Sequence, residues 1–173
     1  MPCSPPEPLQ RGHRVAAFRC GEAALDDWLT KHALAAQSSG SARVFITLDK
    51  GDVVGFYALT ASEVSPSQAS KRAMQGQPRE RAVPAILLAR LAVTRSHQGT
   101  GIGRSLLQDA MLRCGTAAEQ IGARVLLVHA KDDAARDWYR RFGFEESPTD
   151  PLHLMLLMKD LRRFLDRAEG EQD

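Results

Sequence analysis

Leu91-Ala92-Val93-Thr94-Arg95-Ser96-His97-Gln98-Gly99-Thr100-Gly101-Ile102-Gly103-Arg104-Ser105-Leu106-Leu107 runs from an apolar strand through a bare turn into an amphipathic helix. Glycines at alternate positions (Gly99, Gly101, Gly103) strip Cβ atoms from the turn. Backbone N–H groups can then crowd around an anion, and the following helix adds the positive end of its dipole. This is either an ordinary strand-to-helix turn or a phosphate-binding device, and for the latter spacing narrows which phosphate it takes. A nucleoside-triphosphate loop needs Gly, four residues, then Gly-Lys-Ser/Thr, and the chain contains no Gly-Lys. The dinucleotide fingerprint G-x-G-x-x-G fails because Gly103 comes one residue early and Arg104 stands three places after Gly101. What remains is Gln98-x-x-Gly101-x-Gly103.

Downstream of the turn, Leu106, Leu107, Ala110, Met111, Cys114, Ala118 and Ile121 recur at three- and four-residue steps, a long helix stopped by Gly122. Arg124–Ala130 reads as a buried strand. Asp132-Asp133 caps a helix to about Arg141, and Gly143 ends it. Phe144–Glu146 and Leu152–Met158 are the last strands, and Asp160–Arg167 is a terminal helix. Upstream, Ala85–Thr94 is a central strand buried on both faces. Arg43–Leu48 and Val53–Ala61 flank Asp49-Lys50-Gly51-Asp52 as a hairpin. Glu63–Pro84 is a loop, with or without one short helix. Ala24–Ser38 carries Leu25, Trp28, Leu29, Ala33 and Ala36 at helical spacing, and Arg14–Phe18 is a short first strand. The order is β-α-β-β-(loop)-β-α-β-α-β-β. It specifies an α/β fold with a mixed, mostly antiparallel central sheet flanked by helices.

The 173 residues fit one domain. We expect a flexible lead-in over residues 1–12, where prolines cluster, a single domain over 13–168 and a mixed-charge tail over 169–173. No run of eighteen apolar residues occurs, so no membrane span is expected, and the N-terminus lacks the pattern of a secretion signal. Three scattered cysteines without C-x-x-C spacing argue for a reducing, cytoplasmic setting without a zinc site. Cys114 falls on the apolar face of its helix. The five histidines show no metal-ligand spacing, and no metal is expected. His129, at the end of a buried strand, reads as a satisfied core histidine, with substrate contact as the alternative.

The net charge is only +2, but it is unevenly spread. From Lys71 to Arg95, the cations Lys71, Arg72, Arg79, Arg81, Arg90 and Arg95 face Glu80 alone, a local net charge of +5. This is either a solvated basic loop or a landing strip for a phosphate backbone.

Gln98-x-x-Gly101-x-Gly103 resembles the Q/R-x-x-G-x-G/A motif of the GNAT acetyltransferases, and the element order is that of their fold. Further segments resemble one branch of that family, the bacterial toxins of toxin–antitoxin pairs that acetylate aminoacyl-tRNA. They are Phe18-Arg19-Cys20-Gly21; Trp28-Leu29 with His32–Gln37 and Gly40–Arg43; Val54–Leu59; Leu88–Val93; His97–Gly103; and Trp138-Tyr139-Arg140-Arg141-Phe142-Gly143-Phe144 with Pro148 and Leu152–Met158. The match runs from about Phe18 to Leu161.

The resemblance implies acetyl-CoA as cosubstrate and direct transfer to an amine. Leu91, Ala92 and Val93 would pair with the pantetheine arm, and an N–H near Val93 would hold the acetyl oxygen. Gln98, Gly99, Thr100, Gly101, Ile102, Gly103 and Arg104 would take the pyrophosphate. Arg104 either adds a charge-assisted bond or stands solvated. Tyr139 would protonate the departing thiolate as general acid, the alternative being an aromatic packing residue. No carboxylate stands out as general base; Glu63 is placed as a solvated loop acid. Arg90, Lys71, Arg72, Arg79 and Arg81 would face the tRNA acceptor end. The implied partners are aminoacyl-tRNA, an antitoxin with a ribbon-helix-helix part and a second copy of the chain. Two rival readings stand beside this one: an acetyltransferase acting on a small-molecule amine or a protein N-terminus, and a binding module that has kept the fold.

Overall fold

A computed structural model describes residues 3–170. The elements are β1 (Glu7–Pro8), α1 (Ala23–Lys31), α2 (Ala33–Ser39), β2 (Arg43–Asp49), β3 (Asp52–Val64), α3 (Lys71–Met74), β4 (Val83–Val93), α4 (Ile102–Gln120), β5 (Val125–His129), α5 (Asp133–Arg140), β6 (Glu145–Glu146), β7 (His153–Leu157) and α6 (Met158–Gly170). The strands form a sheet in the order β1-β2-β3-β4-β5-β7-β6. Antiparallel pairs are β1–β2, β2–β3, β5–β7 and β6–β7, while β4 and β5 run parallel. The expected mixed, mostly antiparallel α/β sheet is present. The chain divides into two compact units: one holds the chain through Thr60 together with Ala89–Ala110, the other Ala61–Leu88 and the chain from Met111 onward.

The first unit is built on the β2–β3 hairpin. Val44 and Ile46 alternate with Phe45 and Thr47, and the alternation assigns them to opposite faces. One face joins Phe18, Leu29, Ala33, Val53, Phe56, Ala58 and Ala92 in a core. On the other, Phe45 stacks on Tyr57 at 5.1 Å. Register slips between Thr47 and Leu48: Thr47 pairs with Gly55 and Leu48 with Val53, so Val54 is the extra residue of a bulge. A Cβ on Gly55 would lie 2.9 Å from Leu106 Cδ1 and 3.2 Å from Ile102 Cγ2, so the first turns of α4 rest on bare backbone.

Two expectations for this unit are corrected. The edge strand is Glu7–Pro8, not Arg14–Phe18. Of the latter only Arg14 forms a bridge, to Asp52, while Phe18 N–H turns back to Val15 O and its ring packs edge-on against Phe56. Proline is tolerated in β1 because an edge strand need not donate on both sides. The lead-in is accordingly laid along β2 from Cys3 onward: Ser4 N–H donates to Leu48 O, Thr47 Oγ1 to Ser4 O and Leu9 N–H to Val44 O. The helix expected over 24–38 is broken at His32 (φ −124°), giving α1 with Leu29 buried and α2 with Ala33 buried.

In the second unit, β4 and β5 pair from Ala85–Val125 to Leu88–Val128. Val64, Ala73, Val83, Val125, Leu127, Met155 and Leu157 form its core. The loop of 63–84 is shorter than expected because β3 runs on to Val64, and it contains the short helix α3. Ser70 Oγ caps α3 by accepting from Ala73 N–H. Asp132 caps α5 by accepting from Ala135 N–H at 2.8 Å. Cys114 is fully buried, as its position in the helix predicts, and burial pushes its thiol up to about 12.

Candidate functional site

The turn between β4 and α4 opens with a single turn of 3-10 helix at Arg95–His97. Gly99 and Gly101 then adopt φ +75° and +91°, where a side chain would be strained. No atom lies within 4 Å of where either Cβ would stand, so the space over the turn is open to a ligand. Ser105 N–H donates to Gly101 O, the first bond of α4. Among the described residues, none accepts from the N–H groups of Ile102, Gly103 or Arg104. Three unfilled donors at the start of a 19-residue helix, next to two positive-φ glycines, suit a phosphate group.

Long-range bonds hold this turn. Thr94 N–H donates to Val54 O at the bulge, and Arg95 N–H donates to Arg19 O. Thr94 Oγ1 accepts from Arg19 N–H and donates to Arg19 O. The Gln98 amide donates to Val93 O at 2.9 Å and to Cys20 O at 2.8 Å. His97 Nε2 meets Asp49 Oδ2 at 2.6 Å, and its Nδ1 meets Ser96 Oγ at 2.7 Å. Thus Phe18-Arg19-Cys20-Gly21 lies against the end of β4, a placement its sequence did not announce. Arg104 is exposed and, among the described residues, unpaired.

Arg90 lies in β4 with its guanidinium 4.1 Å from the centre of the Trp28 ring, whose plane stacks on Phe56. Desolvation lowers its pKa below the ordinary arginine value, and no carboxylate among the described residues pairs with it. The other cations sit in the second unit. Lys71, Arg79 and Arg81 are exposed, and none forms an ion pair among the described residues. Lys71 and Arg79 border a groove of about 610 Å³ with Met74, Gln75 and Gln77. Arg72 differs: it bonds Asp160 through both terminal nitrogens and also bonds Glu145. Arg124 donates to the carbonyls of Arg72, Ala73 and Gln75, so the segment carrying these cations is fastened to its unit.

Tyr139 occupies the last turn of α5, edge-on to Trp138 and Phe144. Its hydroxyl bonds no described residue, and burial raises its pKa well above the ordinary phenol value. The chain's other tyrosine, Tyr57, is fully buried and donates to Asp109 at 2.5 Å. Glu63 is exposed near the end of β3. His129 is not a core histidine: it is exposed at the end of β5, paired and stacked with His153 at 4.1 Å. Desolvation, then His153, lowers its pKa. The described residues contain no group of three or more potential metal ligands and no helix long and apolar enough to cross a membrane.

Residues 40–146 match the model of the acetyltransferase (GNAT) domain. The chain is 50% identical to the tRNA-acetylating toxin of Mycobacterium tuberculosis, over 94% of this chain and 96% of that one. It superposes on AtaT complexed with acetyl-methionyl-tRNAfMet with a TM-score of 0.85 at 26% identity, covering 94% of this chain and 99% of that one. On AtaTR bound with AcCoA the TM-score is 0.77 at 26% identity, covering 94% and 98%. Glycine turn, sheet and sequence agree: this chain belongs to the GNAT acetyltransferase family.

Proposed function

We propose that this protein transfers the acetyl group of acetyl-CoA to the α-amine of aminoacyl-tRNA, as the toxin of a toxin–antitoxin pair that inhibits translation. The observation that carries this reading is the 50% identity, across nearly both full lengths, to a tRNA-acetylating toxin. The open turn supports the donor half. The unfilled N–H groups of Ile102, Gly103 and Arg104, with Gly99, Thr100 and Gly101, hold the diphosphate, and Arg104 adds charge. Leu91, Ala92 and Val93 present backbone to the pantetheine arm. The amide of Val93 receives the acetyl oxygen as it gains negative charge.

The amine nitrogen attacks the thioester carbon, the carbon–sulfur bond breaks, and Tyr139 supplies the proton to the departing thiolate. Of the two tyrosines only Tyr139 has a hydroxyl clear of a carboxylate partner, and as a phenol it carries its proton at neutral pH. The amine releases its own proton to solvent. An α-amino group titrates near about 7.7–8.0 against about 10.4 for lysine, so an aminoacyl ester needs no strong base.

Arg90, Lys71, Arg79 and Arg81 contact the phosphates of the acceptor end. Arg72, assigned with them from sequence, serves instead to hold its segment through Glu145 and Asp160. The protein acts in the cytoplasm as a homodimer, restrained by an antitoxin with a ribbon-helix-helix DNA-binding part.

The test is acetyl transfer to a total pool of charged tRNA, with released aminoacyl-adenosines read by mass spectrometry. An acetyl increment on one or a few amino acids, lost in Tyr139→Phe with acetyl-CoA binding retained, is expected. No increment with acetyl-CoA binding intact would move the substrate to a small-molecule amine or a protein N-terminus.

A further inference from the structure

We infer that Gln98, the first residue of the glycine motif, is a positioning residue that aims the end of β4, and that it does not touch the diphosphate. A primary amide has two N–H donors. Both Gln98 hydrogens go to protein carbonyls, Val93 O and Cys20 O. Turning the amide over would set Oε1 against two carbonyl oxygens, so the hydrogen-bond partners fix its orientation. The atom left over is Oε1, an acceptor with nothing to offer a phosphate.

What Gln98 holds is the peptide between Val93 and Thr94. The carbonyl of that peptide accepts from Gln98, and its N–H donates to Val54 O at the bulge. With both ends bonded the peptide plane cannot rotate. This anchors the C-terminal side of Val93, whose own N–H is the group assigned above to the acetyl oxygen; the inference rests on that reading of the donor site. The second carbonyl, Cys20 O, belongs to the segment that meets Thr94 and Arg95 through Arg19. Gly21 completes the fit: at φ +104° it brings its backbone so close that a Cβ would stand 3.2 Å from Arg95 Nε. Phe18–Gly21 is therefore a strut, and Gln98 fastens it to the strand end.

Acetyl-CoA and S-acetyl-pantetheine, which carries the arm and thioester without a diphosphate, separate positioning from contact. The variants are Gln98→Glu, which opposes two carbonyls with an acceptor; Gln98→Ala; and Gln98→Arg, which keeps donors in reach. If Gln98 positions the strand end, Glu and Ala lower kcat/KM by about tenfold with both donors alike, and Arg restores most of the rate with both. A loss confined to acetyl-CoA would make Gln98 a diphosphate contact and overturn the inference, as would unchanged kinetics with both. Calorimetric titration of the same variants with CoA and with pantetheine repeats the comparison without any acceptor. An error in the assigned acceptor thus leaves the outcome readable.

Discussion

Replacing Gly55 with alanine tests how closely α4 is seated on the sheet. The added methyl would lie 2.9 Å from Leu106 Cδ1, 3.1 Å from Thr47 Cγ2 and 3.2 Å from Ile102 Cγ2, against a comfortable separation of about 3.5–4.0 Å. All three side chains are buried (0%, 4% and 4% exposed), so none has open space to move into. Overpacking of this kind costs about 1–3 kcal/mol. Alanine returns about 0.5–1 kcal/mol by restricting the unfolded chain relative to glycine. The net loss is about 0.5–2 kcal/mol, a fall in Tm of about 1–8 °C for a chain of this size. Because Ile102 and Leu106 lie in the first turns of α4, relief of the clash lifts the donors that follow Gly101. Acetyl-CoA affinity should therefore fall several-fold. The assay pairs thermal melts with calorimetric titration. Gly122→Ala is the control, since its Cβ would meet nothing within 4 Å. Wild-type stability and wild-type affinity in Gly55→Ala would refute the argument that this glycine sets the height of the helix.

Three further outcomes are expected. Exchanging Lys71 and Arg79 for glutamate weakens binding of uncharged tRNA and flattens its dependence on salt, by about 0.9 in log–log slope for each phosphate no longer neutralised; a wild-type slope already near zero would remove the basic strip from the interface. Hydrogen bonds from Arg72 hold the Asp160 carboxyl below its ordinary range, so this pair stabilises the fold above the unfolded carboxylate pKa of about 3.9 and ceases to do so as pH falls through the lower folded-state value. The Tm gap between wild type and Arg72→Ala should thus be open at neutral pH and close in acid, and a gap that stays constant contradicts the pairing. Cys114, pushed up to about 12 by burial, should resist thiol reagents until the protein is denatured, which counting reactive thiols before and after denaturation decides.

The glycine turn, the paired strands around it and the helices on either side of Gly143 follow from local patterns: alternation, helical periodicity and capping residues. These patterns compete weakly with the rest of the chain. The first strand did not follow, because Glu7-Pro8 has neither alternation nor β-branched residues and pairs only because an edge of β2 stands beside it. The break at His32 left no mark, since Leu29 and Ala33 keep helical spacing through it. Side-chain partners were the least legible. Nothing near Arg72 in sequence points to Glu145 or Asp160, and nothing near Gln98 points to Cys20. The composition of 71–95 places Arg72 among the cations available to RNA, and only the folded chain shows that two carboxylates already hold it.

The tethers on the glycine turn also bear on how the protein folds. Thr94 binds Arg19 across 75 residues, Gln98 reaches Cys20 across 78, and His97 reaches Asp49 across 48. The β2–β3 hairpin closes across a tight turn by comparison. Pairings of long sequence separation form only after a large loss of chain entropy, so the hairpin precedes the turn in any simple order of events. A nascent chain ending before Gln98 already carries the hairpin but lacks the amide that bonds Val93 O and Cys20 O. The capacity to hold the acetyl donor therefore arrives late, and hydrogen exchange during refolding should protect Phe45 and Tyr57, which pair across the hairpin, before Thr94 and Arg95.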